Sequence, residues 1–191
     1  MAAKSKFDPN NTEVLISRNR HREIDIYSFL ARIPIRAQHV VADIGCGPGY
    51  FTIPLAKHLC FGKVYALDVQ QQMLELLIKR LDLSRLTNVD TLTSQETVLP
   101  LKDDSLDGAL VAFVLQEAED PEGLLRETKR CLRSSGWIAV MEWYKEHTDS
   151  GPPVARRIDP VAMKAMLLRI GFRVIAESDL NTAQYMIVAR G

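Results

Sequence analysis

The chain reads as an α/β protein: a mainly parallel sheet, covered by helices on both faces and closed by an antiparallel last strand. Three observations predict this. Short apolar runs alternate with helical patterns from about residue 39 onward, as strand-helix-strand units do in a parallel sheet. A glycine-rich turn follows the first of these runs, in Asp43-Ile44-Gly45-Cys46-Gly47-Pro48-Gly49. Such turns sit at the carboxyl end of a strand, where α/β folds hold nucleotide-like ligands. The last two runs are joined only by the short polar link 177–183, whereas a parallel crossover needs about a dozen residues or more.

The elements follow in order. Residues up to about 11 are polar and read as loose, and 12–33 turn helical, with Ile24, Tyr27, Leu30 and Ile33 recurring every three residues until Pro34. This gives an N-terminal helical extension, 1–34, expected to pack on the main domain, 35–191. The first strand is 39–44. A helix over 50–59 carries Pro54 near its first turn. The second strand, 64–67, ends at Asp68. A helix over 70–81 sets Met73, Leu74, Leu77, Ile78 and Leu81 on one face, and 88–93 is the third strand.

A fourth strand lies in the continuous apolar run 106–115. Asp120-Pro121 marks a helix start, the acid capping free amides and the proline suiting the first helical position. Its inner face is Leu124, Leu125, Thr128 and Leu132, and Gly136 is expected to end it. The fifth strand is 137–141. Asp159-Pro160 repeats the start signal and Gly171 the stop, before strands at 172–176 and 184–189.

Bulk properties narrow the function. With 191 residues the chain fits one domain with a real core. Twenty-four basic side chains balance 24 acidic ones, so no broad field calls for nucleic acid or an anionic membrane. The basic residues before Pro34 (Lys4, Lys6, Arg18, Arg20, Arg22, Arg32) read as a solvated helix face. No apolar stretch approaches the roughly 20 residues of a membrane span, and the amino terminus has no signal-peptide core. Cys46, Cys60 and Cys131 lack paired spacing, which argues for reduced thiols in a cytoplasmic protein and against a metal site.

The glycines decide the ligand. A dinucleotide loop wants Gly-x-Gly-x-x-Gly. Here glycines stand at 45, 47 and 49 and Tyr50 holds the place of that third glycine, which argues against a nicotinamide oxidoreductase. A backbone of this kind can approach a sugar and an amino-acid tail without side-chain clash. Asp43 can order the loop or reach a ligand ammonium through water. Asp68 follows at the distance that sets an acid on ribose hydroxyls. Together these features point to an adenosine-type ligand.

The same residues resemble the class I S-adenosylmethionine-dependent methyltransferases, and most closely their small branch similar to menaquinone/ubiquinone biosynthesis methyltransferases. ADIGCGPGYFT resembles the family's first motif and ALDVQQQML its second. LPLKDDSLDGALVAFVLQEAEDP resembles the stretch around the fourth strand, and RCLRSSGWIAVMEW the run into the fifth. The resemblance extends from Ile35 to the end. It implies a Rossmann-like seven-stranded sheet of order 3-2-1-4-5-7-6 with the last strand antiparallel. It implies S-adenosyl-L-methionine as cofactor, S-adenosyl-L-homocysteine as product, and a small-molecule methyl acceptor. From the balanced charge and the lack of a spanning apolar stretch, no nucleic-acid partner and no integral membrane association are expected, in a monomer or homodimer.

Residue by residue, the resemblance puts Asp43, Gly45, Cys46, Gly47 and Gly49 under the cofactor's methionine part, the Cys46 side chain being read as a small residue that fills the turn. Tyr50 would lie near the sulfonium, with Phe113 a second aromatic candidate. Asp68 would hold the ribose, with Val69 and Met73 beside the adenine. Gln95 or Glu96 would bond the adenine amine, where relatives carry an acid. Many relatives have paired histidines after the fourth strand, but this chain has Gln116-Glu117.

Methyl transfer is an in-line displacement that depends on alignment and a dry site, with aromatic faces or carboxylates near the sulfonium. A general base is needed only where the acceptor must lose a proton. Glu117 is the first candidate and Glu142 the second, with Tyr50 counted beside them as a catalytic residue. Either glutamate can equally be a helix cap or a solvent contact. His21 and His147 read as surface residues. The polar loop after the fifth strand, 142–157, should carry specificity. In it Arg156 and Arg157 are candidates to bind an anionic acceptor. The N-terminal helices would lid the acceptor pocket. The alternative keeps the fold without the reaction, as a catalytically inactive cofactor-binding regulatory or interaction module.

Overall fold

A computed structural model describes residues 24–191. The helical pattern expected over 12–23 lies outside them. Seven strands form one sheet: β1 (Val40–Ile44), β2 (Lys63–Asp68), β3 (Val89–Thr93), β4 (Leu106–Ala112), β5 (Leu132–Trp143), β6 (Arg173–Asp179) and β7 (Gln184–Arg190). Their order is β3-β2-β1-β4-β5-β7-β6. β1 pairs in parallel with β2 and β4, β2 with β3, and β4 with β5; β7 runs antiparallel to both β5 and β6. β6 runs on to Asp179, so the link shortens to 180–183 and makes the hairpin that chain length required.

Among the described residues five helices cover the sheet: α1 (Ile26–Arg32), α2 (Thr52–His58), α3 (Gln71–Ser84), α4 (Pro121–Cys131) and α5 (Pro160–Ile170). Successive side chains of a strand point to opposite faces, and the core divides accordingly. Ile138 and Val140 of β5 pack with Leu124 and Leu125 of α4 and Met163 and Leu167 of α5. Trp137, Ala139 and Met141 of the same strand pack with Phe29 of α1 and Leu55 and Ala56 of α2. α3 buries Leu74, Leu77 and Leu81 on Ala66 and Cys46.

The helix starts are those the acids and prolines announce. Asp120 accepts from Gly123 N at 2.8 Å, and Asp159 from Val161 N and Ala162 N at 3.0 Å. Gly171 ends α5 at φ 89°. Pro54 stands at the third position of α2, where its missing N–H would have found no intrahelical partner.

The expected bounds of α4 and β5 change. α4 stops at Cys131, not near Gly136, and β5 starts at Leu132, whose backbone is already extended (φ −75°, ψ 138°). Leu106 pairs with Leu132 but Gly108 with Trp137, so 133–136 bulge out of the ladder. There Arg133 forms an ion pair with Asp107 of β4, and Asp107 also accepts from Val40 N at 2.8 Å. Gly136 belongs to this bulge: a Cβ on it would come within 2.9 Å of the Arg133 carbonyl. Further on, β4 lies within the expected run 106–115 and ends at Ala112, where Phe113 turns to φ 62°.

Gly108 of β4 has Trp137 lying directly across it, with an added Cβ only 2.1 Å from the indole ring. Gly108→Ala should therefore overpack the core at a cost of about 1–3 kcal/mol, read as a Tm lower by roughly 2–12 °C in thermal unfolding. An unchanged Tm would contradict this packing.

Candidate functional site

The carboxyl ends of β1, β2, β4 and β5 lie side by side, and the chain leaves each through a turn. After β1 the three alternating glycines all take left-handed backbone, with φ of 71° at Gly45, 52° at Gly47 and 86° at Gly49. Only glycine adopts that geometry freely. Two of the three are also packed from behind: a Cβ would meet Val114 at Gly45 and Leu77 at Gly49, each at 2.3 Å.

Asp68 fastens this turn to β2. Its Oδ2 accepts from Gly47 N at 2.8 Å and its Oδ1 from Gln70 N at 2.9 Å. Gly45 N and Cys46 N donate to Leu67 O at 2.8 and 2.9 Å, and the Arg80 guanidinium donates to Pro48 O. Asp43, buried beneath, accepts from the Thr52 hydroxyl at 2.6 Å and so joins the strand end to the start of α2. Burial, then the charges of Asp43 and Asp68, push the Cys46 thiol well above its ordinary range, so it stays protonated as a small filling group. Val69 is half-buried and Met73 buried in the first turn of α3, next to Asp68 in the chain.

The two adenine candidates separate. Gln95 is exposed, its N–H bonded to Val98 O at 3.1 Å. Glu96 is engaged across the edge, its Oε1 accepting from Glu119 N and Asp120 N at 2.6 and 2.9 Å, which orients the approach to α4.

On the β4–β5 side, aromatic rings meet. Phe113, a bulky residue at φ 62°, donates its N–H to Met141 O at 2.8 Å. Strained backbone of this kind clusters at functional sites. Its ring lies 6.4 Å from Phe51 in a stacked pair and 6.2 Å from Trp143. Tyr50 stands edge-on to Phe51 at 4.9 Å. Its hydroxyl donates to Ile24 O at 3.1 Å. Phe51 and Trp143 were not legible as site residues; the one available signal was their position immediately after the first motif and at the end of the fifth strand.

The two glutamates differ sharply. Glu117 is half-buried in the turn after β4, its N–H bonded to Val114 O. Glu142 has no exposed surface. Its Oε1 accepts from Gln116 N at 3.4 Å, while its Oε2 and Gln116 Oε1 are buried with no hydrogen-bond partner. Burial pushes the Glu142 carboxyl up to about 8, against the pull of nearby backbone N–H groups and with the Glu117 charge adding to the rise. A neutral acid at that position has a proton to give to one of those oxygens. An open base it is not.

Arg157 corrects another expectation. It is buried (3% exposed), and its donors go to the chain itself. Nε bonds Pro152 O, Nη1 bonds Tyr144 O and Glu146 O, and Nη2 bonds the Thr148 hydroxyl and Ser150 O, at 2.7–3.3 Å. A guanidinium has five N–H donors, so none is left for an anionic acceptor. Arg156 is half-buried at the end of the short 3-10 helix Val154–Arg156. Among the described residues no group of three or more His, Cys, Asp or Glu could hold a metal ion, and no helix is long and apolar enough to cross a membrane.

Comparison with known proteins gives a consistent picture. A family model described as a methyltransferase domain matches residues 42–140. A demethylmenaquinone methyltransferase of Lactobacillus johnsonii is 30% identical over 70% of this chain and 54% of its own. A trans-aconitate 2-methyltransferase of Rhodococcus jostii is 31% identical over 70% of this chain and 48% of its own. The chain thus spans about half the length of these curated relatives. The crystal structure of a SAM-dependent methyltransferase from Aquifex aeolicus superimposes with a TM-score of 0.92 at 30% identity, over 96% of this chain and 98% of that one.

The Glu142 carboxyl is raised above its unfolded value, from 4.5 to about 8, so the folded protein holds the extra proton between those limits. Stability from this group should be complete at the acid end and fall as pH rises, by up to about 1.4 kcal/mol per pH unit, levelling above the folded value. Glu142→Gln should remove that slope. Denaturant unfolding of both proteins from pH 5 to 8.5 checks this, and parallel pH profiles would contradict it.

Proposed function

The chain belongs to the methyltransferase-domain family, and from that premise we propose that it transfers the methyl group of S-adenosylmethionine to a small-molecule acceptor. The cofactor supplies an electrophilic methyl on a cationic sulfur. The observation that carries the reading is the turn of three left-handed glycines tied by its Gly47 N–H to the Asp68 carboxylate. This donor set fits the cofactor: bare main chain for the amino-acid part, an acid at the β2 end for ribose hydroxyls, and Met73 as apolar neighbour to the adenine, with exposed Gln95 available to its amine.

The chain's own groups divide the remaining work. Phe113, Phe51 and Trp143 make an apolar wall that keeps water from the reacting atoms. Glu117 takes the proton where the acceptor has one to lose. Glu142 stays neutral under the turn and positions Gln116 and Glu117. The described part of the N-terminal extension buries Ile24, Ile26, Phe29 and Ile33 in one cluster with Tyr50 and Phe51, which supports its reading as a cover on the acceptor side. The acceptors named for the two relatives differ in charge. The aromatic wall and the fully engaged Arg157 favour one that is flat and uncharged over a polycarboxylate such as trans-aconitate.

Millimolar S-adenosylhomocysteine should raise the Tm of the wild-type chain, since a ligand at 100 times its Kd adds about 2.7 kcal/mol. Asp68→Ala should lose most of that rise. Radiolabelled S-adenosylmethionine should pass label to small molecules of a cell extract. No thermal shift with either compound would overturn the proposal; a shift without any transfer would leave a binding module.

A further inference from the structure

We infer that Arg157 is a positioning residue of the acceptor site, which gathers residues 144–152 around one guanidinium and thereby sets the Trp143 ring against Phe113. The inference rests on the proposal that the acceptor lies at this edge of the sheet. Three observations carry it.

First, the bonding pattern is periodic. The five oxygens on Arg157 come from Tyr144, Glu146, Thr148, Ser150 and Pro152, every second residue of the loop. Four are main-chain carbonyls and one is a hydroxyl. The loop is therefore wound about the side chain rather than merely touching it. One planar fork supplies the donors for all four carbonyls and the hydroxyl. Lysine offers three donors and no fork, so it cannot reproduce the arrangement.

Second, the same guanidinium lies 5.1 Å from the centre of the Trp143 ring. Gly151, at φ 93°, rests so close to that ring that a Cβ would meet three of its atoms at 3.0 Å. The loop that Arg157 winds is thus the one that holds the ring.

Third, contacts continue from Trp143 to Phe113 at 6.2 Å and from Phe113 to Phe51 at 6.4 Å. Phe51 follows the glycine turn by two residues. Arg157 itself is buried and has no free donor, so it acts through Trp143 and not on the acceptor.

The test compares wild type with Arg157→Lys, and with Thr148→Val, which keeps the arginine and removes one of its five acceptors. Acrylamide quenching of tryptophan reports Trp143, because Trp137 is buried in the core. Calorimetry gives the S-adenosylhomocysteine affinity. Methyl transfer is titrated against the small-molecule extract fraction at fixed cofactor, and against cofactor at fixed fraction. Arg157→Lys should leave cofactor affinity within about twofold, expose Trp143 to the quencher, and raise the apparent KM for the fraction about tenfold or more with the cofactor's KM unmoved. Thr148→Val should shift the same quantities less, and it decides the matter if Arg157→Lys does not fold. Unchanged quenching, or equal losses for acceptor and cofactor, would overturn the inference. Failure of the wild type to bind S-adenosylhomocysteine would overturn the functional proposal instead, while the quenching comparison would still decide whether Arg157 sets the ring.

Discussion

The hydrogen bond from Gly47 N to the Asp68 carboxylate is the contact on which the rest of the site depends. It joins the turn after β1 to the end of β2, so two strands present one continuous edge. The turn can reach the carboxylate only because Gly45, Gly47 and Gly49 take backbone that other residues resist. Val114 and Leu77 then fill the space behind Gly45 and Gly49, which couples the turn to the segment after β4 and to α3. A binding edge built this way needs few side chains of its own.

The opposite side of the site is built by a different kind of constraint. Phe51, Phe113 and Trp143 meet where β4 and β5 end, and Phe113 adopts strained backbone to do so. Two buried polar groups support this wall from behind. Glu142 lies under the turn that carries Gln116 and Glu117, and Arg157 organises the loop beyond β5. Both residues are charged types in the sequence, yet neither is open to solvent. Their chemistry is spent on shaping the protein: one stays neutral through burial, the other is saturated by four carbonyls and a hydroxyl of one loop.

The helix starts and the reversed last strand were legible in the sequence because their causes are local, whereas the strand order came with the family resemblance. Asp120-Pro121 and Asp159-Pro160 cap helices with their own side chains, and the chain length of 177–183 fixes the direction of β7. The misread features all have distant causes. Gly136 looks like a helix terminator, but α4 had already ended, and Arg133 beside it pairs with Asp107 of another strand. Glu142 looked accessible because the fifth strand was expected to stop at 141; it runs to Trp143, and the 114–117 turn covers the acid. Arg157 looked like an anion site because nothing in a linear reading shows five oxygens of one loop converging on it. The glycine spacing and Asp68 were legible for the opposite reason: main-chain geometry at a turn restricts residue type directly.

The proposed function requires an adenosyl amino acid to lie along residues 45–49 with its sugar at Asp68. Crystals of the full chain grown with S-adenosylhomocysteine measure this directly. Ligand density is expected against the Gly45–Gly49 main chain with both ribose hydroxyls at the Asp68 carboxylate. Density at any other surface, with that turn and carboxylate bare, would contradict it.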